Sequence, residues 1–259
     1  MEIQSSDKAG GAGARSLPGR WVALVSSQAF MRMTQTSTTV VVTGTDTGAG
    51  KTVLTSLLTR RLRGAGVNAV ALKPLCSGGR EDAVVLHAAN GGELTMDEVN
   101  PWHFRAALAP VLAARREGRE VTLAEVVARV RSFARRHEVV LVEGAGGLLS
   151  PLGEGFDTRD MVGALSAIPL IVVPDRLGAV NQARLVWEAL PKSARARARI
   201  VLMGQWRKDA AARSNLKLLK EFAPKADVFR LPWISRLAGA ERQGVVAAVL
   251  DEMLKGLRS

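Results

Sequence analysis

Short apolar runs alternate with longer stretches of helical periodicity from Thr38 to the end of the chain. The apolar runs are continuous and rich in β-branched residues, as expected for strands that helices cover on both faces. The clearest of them lie at 39–43, 67–73, 138–142, 170–173 and 199–203. This alternation predicts an α/β fold with a mainly parallel central sheet flanked by helices.

The helical stretches fill intervals between these strands. They lie at 51–63, 122–136, 181–190 and from about 241 onward. Gly64 ends the first of them, and the second opens with a capping box in which Thr122 and Glu125 satisfy each other's backbone N–H groups. No internal repeat is visible, so the pattern predicts a single domain over residues 38–259.

Residues 1–37 follow a different pattern. They are rich in Gly, Ser, Thr and Gln, and their one apolar cluster, at 21–25, is five residues long. We therefore expect a disordered or weakly ordered N-terminal extension. A secretory signal needs an apolar core of about 7–15 residues, which disfavours that interpretation. An organelle presequence and a start at Met31 or Met33 stay open.

The charge balance restricts the partners. Across 259 residues, 36 Lys and Arg side chains against 24 Asp and Glu side chains give a net charge of +12. This excess suits a nucleic acid or a nucleotide triphosphate. The chain contains no Tyr and only 4% aromatic residues, however, so it offers few platforms for base stacking. The pattern favours a small polyanionic substrate and no nucleic-acid partner.

Cysteine content and hydropathy exclude further classes of protein. The chain holds one cysteine, Cys76, and three scattered histidines, which excludes a disulfide framework and a zinc site built on Cys ligands. A lone cysteine is typical of a reducing compartment, so we expect a cytoplasmic protein. No apolar run approaches the roughly 18–20 residues that span a bilayer, which predicts no membrane partner.

The strongest local motif follows the first strand and leads into the first helix. Residues 44–52 read Gly-Thr-Asp-Thr-Gly-Ala-Gly-Lys-Thr, in the context that a phosphate-binding P-loop requires. Thr45 occupies the first Gly position of the strict pattern, so this is a variant loop. Lys51 is the candidate for the outer phosphates, and the Thr52 hydroxyl is the candidate for Mg²⁺.

Two further strands end in charged residues. Glu143 follows the run at 139–142, and an acid at such a strand end commonly reaches the Mg²⁺ of P-loop proteins. Lys73 ends the run that begins at residue 67. It is either a flanking charge or a cation held over a reacting phosphate or an anionic nucleophile.

In combination, these segments resemble the dethiobiotin synthetase family. The resemblance runs from about residue 38 to the C-terminus, and the segments that carry it are 44–52, 73–78, 100–110, 143–147 and 177–181. It implies a P-loop NTPase fold and a homodimeric enzyme. It also implies the reaction: 7,8-diaminopelargonate, CO₂ and ATP give dethiobiotin, ADP and phosphate, with Mg²⁺ as cofactor.

The resemblance also implies roles for individual residues. The implied catalytic residues are Lys73 and Lys51, and the implied Mg²⁺ ligands are Thr52, Asp82 and Glu143. The implied ATP site comprises Gly48, Ala49, Gly50, Lys51, Thr52, Val53, Asp82, Glu143, Gly144, Ala145, Gly146, Gln205, Pro232 and Trp233. The implied substrate site comprises Ser77, Gly146, Gly147, Ala179 and Asn181, the last two acting across the dimer interface.

The chain departs from the family pattern where the adenine base is read. Members usually place an Asn after the strand that corresponds to 199–203, and this chain has Gly204 and Gln205 there, which leaves the nucleotide preference open. Two alternatives of other classes stay open as well. One is a ParA-like DNA-associated partitioning ATPase, although Asp46 stands where those proteins carry a Lys. The other is a regulator that retains nucleotide binding alone.

Overall fold

Six parallel strands form the central sheet of the computed structural model, which describes residues 37–207, 209–234 and 240–255. The extension expected at 1–37 lies outside the described residues, apart from Ser37. The strands are β1 (Thr38–Gly44), β2 (Ala69–Leu72), β3 (Leu75–Ser77), β4 (Trp102–Phe104), β5 (Val139–Glu143), β6 (Pro151–Gly153), β7 (Phe156–Asp157), β8 (Ile168–Pro174), β9 (Arg199–Met203) and β10 (Asp227–Leu231).

The sheet has the strand order β10-β9-β8-β1-β5-β2, and every pair in it is parallel. The predicted α/β architecture with a mainly parallel sheet is therefore confirmed. Two small two-stranded pairs, β3 with β4 and β6 with β7, lie outside the central sheet. All five strands that the apolar runs predict are present, whereas β10 was not predicted.

Successive buried residues of each strand point to opposite faces of the sheet and belong to two separate cores. Helices cover both faces. The helices are α1 (Lys51–Gly64), α2 (Glu81–Ala89), α3 (Met96–Val99), α4 (Pro110–Arg116), α5 (Leu123–Ala134), α6 (Thr158–Ala164), α7 (Ala179–Ala189), α8 (Lys192–Arg195), α9 (Ala212–Phe222) and α10 (Ala240–Leu254). One core contains Val41 and Phe133, and the other contains Val40 and Leu54. The described part of the chain contains no helix that is long and apolar enough to cross a bilayer.

Strand register brings the charged strand ends together. In the β1–β5 pair Val42 lies opposite Glu143, and in the β2–β5 pair Leu72 lies opposite Val142. Lys73 directly follows β2, so it comes out at the same carboxyl edge as Glu143. Carboxyl edges of parallel sheets are where α/β proteins bind ligands, and the P-loop segment leaves β1 at this edge.

The outer strand β2 has a fixed side-chain partner for its backbone. The buried side chain of Asn90, which directly follows α2, accepts from the Ala71 N–H at 2.8 Å and donates to the Ala71 carbonyl at 2.9 Å. We expect Asn90→Leu to lower the free energy of unfolding by about 3 kcal/mol, because it leaves two buried backbone groups unpaired. Equilibrium urea unfolding measures the loss, and a value below about 1 kcal/mol would contradict this assignment.

Candidate active site

The P-loop segment forms a tight turn between β1 and α1. Gly50 has φ +101, a left-handed conformation that favours glycine, and it precedes the first residue of α1. A Cβ built there would lie 3.2 Å from the Met203 Cε at the end of β9. The turn therefore presents the N-terminus of α1, with its partial positive charge, and packs against the end of β9.

Lys51 opens α1 and is nearly buried. Its Nζ donates to the carbonyl oxygen of Asp46 at 3.0 Å, inside the same turn. Burial lowers the pKa of Lys51, and the positive charge of Lys73 lowers it further. Two cations are thus held close together, an arrangement suited to a polyanion such as a triphosphate.

Lys73 is the centre of a buried polar cluster. Its Nζ donates to the Glu143 Oε1 at 2.6 Å, to the Asp82 Oδ2 at 2.9 Å and to the Gly144 carbonyl at 3.2 Å. These acceptors match the three donors of an ammonium group. Burial by itself would lower the pKa of Lys73, but the charges of Glu143 and Asp82 outweigh it, and the pKa is raised. Lys73 is therefore a fixed cation at neutral pH.

Side-chain oxygens of Thr52, Glu143 and Asp82 lie close together next to this cation. The Thr52 hydroxyl donates to the Glu143 Oε1 at 2.8 Å, while the Glu143 Oε2 is buried and has no hydrogen-bond partner among the described residues. Asp82 is half-exposed; burial would raise its pKa, but Lys73 outweighs that effect and the pKa is lowered. Carboxylate and hydroxyl oxygens are ligands for Mg²⁺ when phosphate and water complete its coordination.

A cleft of about 680 Å³ opens over these groups. Its walls come from the P-loop segment, the Lys73–Asp82 region, residues 107–110 and residues 145–151. The Ser77 hydroxyl lines the cleft and donates to the Leu108 carbonyl at 2.6 Å. Because that bond uses the hydroxyl proton, the Ser77 oxygen is left to accept a hydrogen bond from a ligand.

Comparisons with known proteins identify the family. A family model described as an AAA domain matches residues 38–241. The ATP-dependent dethiobiotin synthetase of Anaeromyxobacter dehalogenans (strain 2CP-C) is 47% identical over 165 residues, 62% of this chain and 74% of that protein. Its counterpart in Akkermansia muciniphila is 37% identical over 186 residues, 71% of this chain and 86% of that protein. The chain belongs to the ATP-dependent dethiobiotin synthetase family.

Solved structures similar to this member of the dethiobiotin synthetase family support the P-loop NTPase fold. The MinD cell division protein of Aquifex aeolicus has a TM-score of 0.52 at 15% identity and covers 84% of this chain and 97% of its own. The pNOB8 ParA bound to nonspecific DNA has a TM-score of 0.51 at 12% identity and covers 85% of this chain and 97% of its own. At these identities the likeness concerns the fold alone, and the ParA-like alternative gains nothing beyond it.

Most residues that the family resemblance implies come together in this cleft. The residues that line it are Gly48, Gly50, Lys51, Thr52, Val53, Lys73, Ser77, Asp82, Ala145 and Gly146. Glu143 lies beneath them, where it contacts Thr52 and Lys73. Ala49 is buried behind the loop, and the Gly147 N–H donates to the Ser150 hydroxyl. Thr47 of the P-loop segment lines the cleft as well, and so do Ser150 and Pro151, which no sequence signal marked.

The other residues that the resemblance implies do not line this cleft. Gln205, Pro232 and Trp233 follow the carboxyl ends of β9 and β10. Ala179 is buried at the start of α7, and Asn181 lines a separate groove of about 670 Å³ between α7 and α9. Within one chain the described residues therefore do not bring Ala179 and Asn181 to the Lys73 cleft.

Cys76 is in the cleft wall but does not have the properties of a nucleophile. Its Sγ donates to the Gly79 carbonyl at 2.9 Å, and burial raises the pKa of the thiol. Because the thiolate is the reactive form, the raised pKa keeps Cys76 inert.

Proposed function

We propose that this protein is an ATP-dependent ligase that makes dethiobiotin from 7,8-diaminopelargonate and CO₂, with release of ADP and phosphate. The observation that carries the proposal is the contact of the buried Lys73 with the buried Glu143 and the half-exposed Asp82, next to a cleft that Lys73, Asp82 and the P-loop line together. The names of the relatives support the same activity. We assign the reaction to a single domain, residues 38–259, preceded by an extension at 1–37.

The reaction needs charge stabilisation in three steps. One substrate amine captures CO₂ as a carbamate and loses a proton. A carbamate oxygen then attacks the γ-phosphorus, ADP leaves, and a carbamic-phosphoric anhydride forms. The second amine attacks the anhydride carbon, and phosphate leaves as the ring closes. Negative charge builds on the carbamate and phosphoryl oxygens, so the site requires fixed cations more than a general base.

The cations and hydroxyl of the cleft suit these steps. In the proposal, Lys73 holds the carbamate and the γ-phosphate as an ammonium, a role that its raised pKa supports. Lys51 contacts the outer phosphates, together with the backbone N–H groups of residues 48–53. Ser77 accepts a hydrogen bond from a substrate amine, because its own proton is already donated to Leu108. The small residues at 145–147 leave room for the diamine chain.

Thr52, Asp82 and Glu143 would hold Mg²⁺. The unpartnered Glu143 Oε2 and the Thr52 hydroxyl beside it support this assignment, since both are oxygen donors at the P-loop. Across the described residues no cluster of three or more His, Cys, Asp and Glu side chains forms a metal site, so phosphate oxygens and water would complete the coordination. Bound Mg²⁺ neutralises charge on the β- and γ-phosphates.

A homodimer would complete the substrate site. Leu177 and Leu185 are 74% and 63% exposed along the groove between α7 and α9, and Asn181 lines the same groove. A second copy would cover these apolar side chains and bring the start of α7, with Ala179 and Asn181, to the carboxylate of a diamine bound in the other subunit. We assign the enzyme to the cytoplasm, which supplies ATP and bicarbonate.

Substitution in the groove tests the dimer. We expect Leu185→Asp to yield a monomer in analytical ultracentrifugation and to raise the KM for diaminopelargonate, because the charge disrupts an apolar contact and removes the partner's α7. Val245→Asp is the matched control, since Val245 is an exposed apolar residue on α10. A Leu185→Asp protein that sediments as wild type would contradict the interface.

Product formation tests the proposed reaction. Purified full-length protein with diaminopelargonate, bicarbonate, Mg²⁺ and ATP should give dethiobiotin by mass spectrometry, and omission of any one component should abolish it. Absence of dethiobiotin from the complete mixture would overturn the proposal.

A further inference from the structure

The backbone of Lys73 lies at the outer edge of the central sheet. Its strand, β2, is the last in the sheet order, and β5 is its one strand neighbour in the described part of the chain. Just beyond β2, the Lys73 N–H donates to the Val99 carbonyl at 2.9 Å, and the Lys73 carbonyl accepts from the Asn100 Nδ2 at 2.7 Å. The end of α3 and the residue after it therefore hold this lysine from the side that has no strand.

The Asn100 side chain is completely buried, and its orientation is fixed. Its Nδ2 donates to the Lys73 carbonyl and, at 3.4 Å, to the Pro74 carbonyl. Its Oδ1 accepts from the Arg80 Nε at 3.0 Å. A flipped amide would set its oxygen against two carbonyls and its NH₂ group against a guanidinium, so only one orientation satisfies all three partners. One side chain thus joins the guanidinium to the backbone of Lys73.

Arg80 forms the second half of this link. Its Nη2 donates to the Asn100 carbonyl and to the Asp97 Oδ1, both at 2.8 Å, so its planar fork binds residue 100 through side chain and backbone together. Arg80 is also the N-cap residue of α2, and Asp82 lies in the first turn of that helix. The link therefore runs from the backbone of Lys73 to the start of the helix that carries Asp82.

The two ends of the link are also the two members of an ion pair. The Lys73 Nζ lies 2.9 Å from the Oδ2 of Asp82, which is half-exposed and stands on a helix outside the sheet. A partly exposed ion pair is weak and does not by itself fix two elements relative to each other. Glu143 differs, because the pairing of β2 with β5 places it beside Lys73. Asn100 and Arg80 supply for Asp82 the constraint that strand pairing supplies for Glu143.

We infer that Arg80 and Asn100 are positioning residues, which hold the Lys73 ammonium and the Asp82 carboxylate at their working separation. The inference rests on the proposed function, in which Lys73 binds the carbamate and the γ-phosphate and Asp82 binds Mg²⁺. Within the described residues neither Arg80 nor Asn100 lines the cleft, so both act through other residues. A displacement of about 1 Å in a group that meets the substrate can lower a rate about a hundredfold.

Arg80→Met tests the link. Methionine keeps an aliphatic stem but removes the fork, and we expect kcat for dethiobiotin formation to fall at least about tenfold while the KM for ATP changes less than about threefold, since the P-loop is untouched. Arg63→Met is the matched control, because Arg63 binds the Ala69 carbonyl at 3.1 Å at the other end of β2. Rates are normalised to ATP-binding sites counted by calorimetry, so that unfolded protein does not contribute. A wild-type kcat in Arg80→Met would overturn the inference.

A conservative variant separates positioning from charge. Arg80→Lys keeps the positive charge but cannot reproduce the planar fork, so its kcat should stay near that of Arg80→Met. Full activity in Arg80→Lys would overturn the positioning role.

Asn100→Asp tests the other half of the link. Aspartate keeps the acceptor for Arg80 but loses the donor to the Lys73 carbonyl, so kcat should again fall at least about tenfold. Asn90→Asp is the matched control, since Asn90 binds the Ala71 carbonyl of β2 in the same way, and it should lose stability but keep its kcat per ATP-binding site. A wild-type kcat in Asn100→Asp would overturn the role of Asn100.

Crystal structures of the variants distinguish this inference from the proposed reaction. The distance from the Lys73 Nζ to the Asp82 Oδ2 should exceed about 4 Å in Arg80→Met, beyond the limit of an ion pair, and should stay near 2.9 Å in Arg63→Met. An unchanged distance in Arg80→Met would overturn the inference even if dethiobiotin forms. If the pair separates but the wild-type protein makes no dethiobiotin, the proposed reaction fails and the link that holds the pair stands.

Discussion

Replacing Lys73 by alanine is expected to lower kcat for dethiobiotin formation by about a thousandfold. The substitution removes the cation that we propose balances charge on the carbamate and on the γ-phosphoryl oxygens, and losing preorganised charge stabilisation has effects of this size. The Kd of ATP should change far less, because the backbone of the P-loop and Lys51 are untouched. Single-turnover kinetics with saturating substrates measures the loss.

The same substitution leaves Glu143 buried without its cation, so stability must be measured alongside activity. We expect the free energy of unfolding to fall by about 3–5 kcal/mol, the usual result of removing one partner of a buried ion pair. Lys192→Ala, at an exposed position on α8, is the matched control and should change neither quantity. A folded Lys73→Ala protein whose kcat stays within tenfold of the wild type would refute the assignment of Lys73.

Glu143→Gln is expected to raise the Mg²⁺ concentration for half-maximal activity at least tenfold and to lower kcat. Glutamine keeps the size of the side chain and still accepts the hydrogen bond from Thr52, but it removes the negative charge next to Lys73 and to the proposed Mg²⁺ site. Titration of activity with Mg²⁺ at fixed ATP measures the shift. Glu81→Gln, at the exposed neighbour of Asp82, is the control and should leave the Mg²⁺ dependence unchanged.

Glu143→Gln should also change the pH dependence. In the wild type the charges of Glu143 and Asp82 raise the pKa of Lys73, so its ammonium persists at mildly alkaline pH. Without the Glu143 charge, the effect of burial on Lys73 is no longer outweighed and its pKa falls. The alkaline loss of activity should therefore begin at a lower pH than in the wild type. An unchanged Mg²⁺ requirement and an unchanged alkaline limb would together contradict the role given to Glu143.

The strands that position the site could be predicted from the sequence because they are continuous apolar runs. Once 67–73 and 138–142 are recognised as parallel strands, the charged residues at their ends must meet at one edge of the sheet, which is how Lys73 and Glu143 became candidates. The capping box of Thr122 and Glu125 also has the geometry that its spacing predicts. Apolar runs and capping boxes are short sequence patterns, so these features can be predicted without knowledge of distant contacts.

Features that depend on distant partners were not predicted. Strand β10 includes the charged residue Arg230, which interrupts its apolar pattern and which forms an ion pair with the buried Asp175 at 2.9 Å. The shared sheet edge of Lys73 and Glu143 follows from the predicted strands, but the direct ion pair between these residues, 70 positions apart, does not. No periodicity marks Trp206, which a sequence alone cannot place beside Trp233. The net charge of +12 does not locate the site either, since Lys51 and Lys73 line the cleft whereas arginines such as Arg61 and Arg115 form exposed ion pairs.

Isotope incorporation tests the central claim, that the P-loop and Lys73 act in one cleft to close a cyclic urea. Purified protein is given diaminopelargonate, Mg-ATP and ¹³C-labelled bicarbonate, and dethiobiotin and ADP are quantified together. We predict dethiobiotin with one labelled carbon, in the ureido position, and one ADP for each molecule formed, and neither product above background from Lys73→Ala. Release of ADP without labelled dethiobiotin by the wild-type protein would contradict the claim.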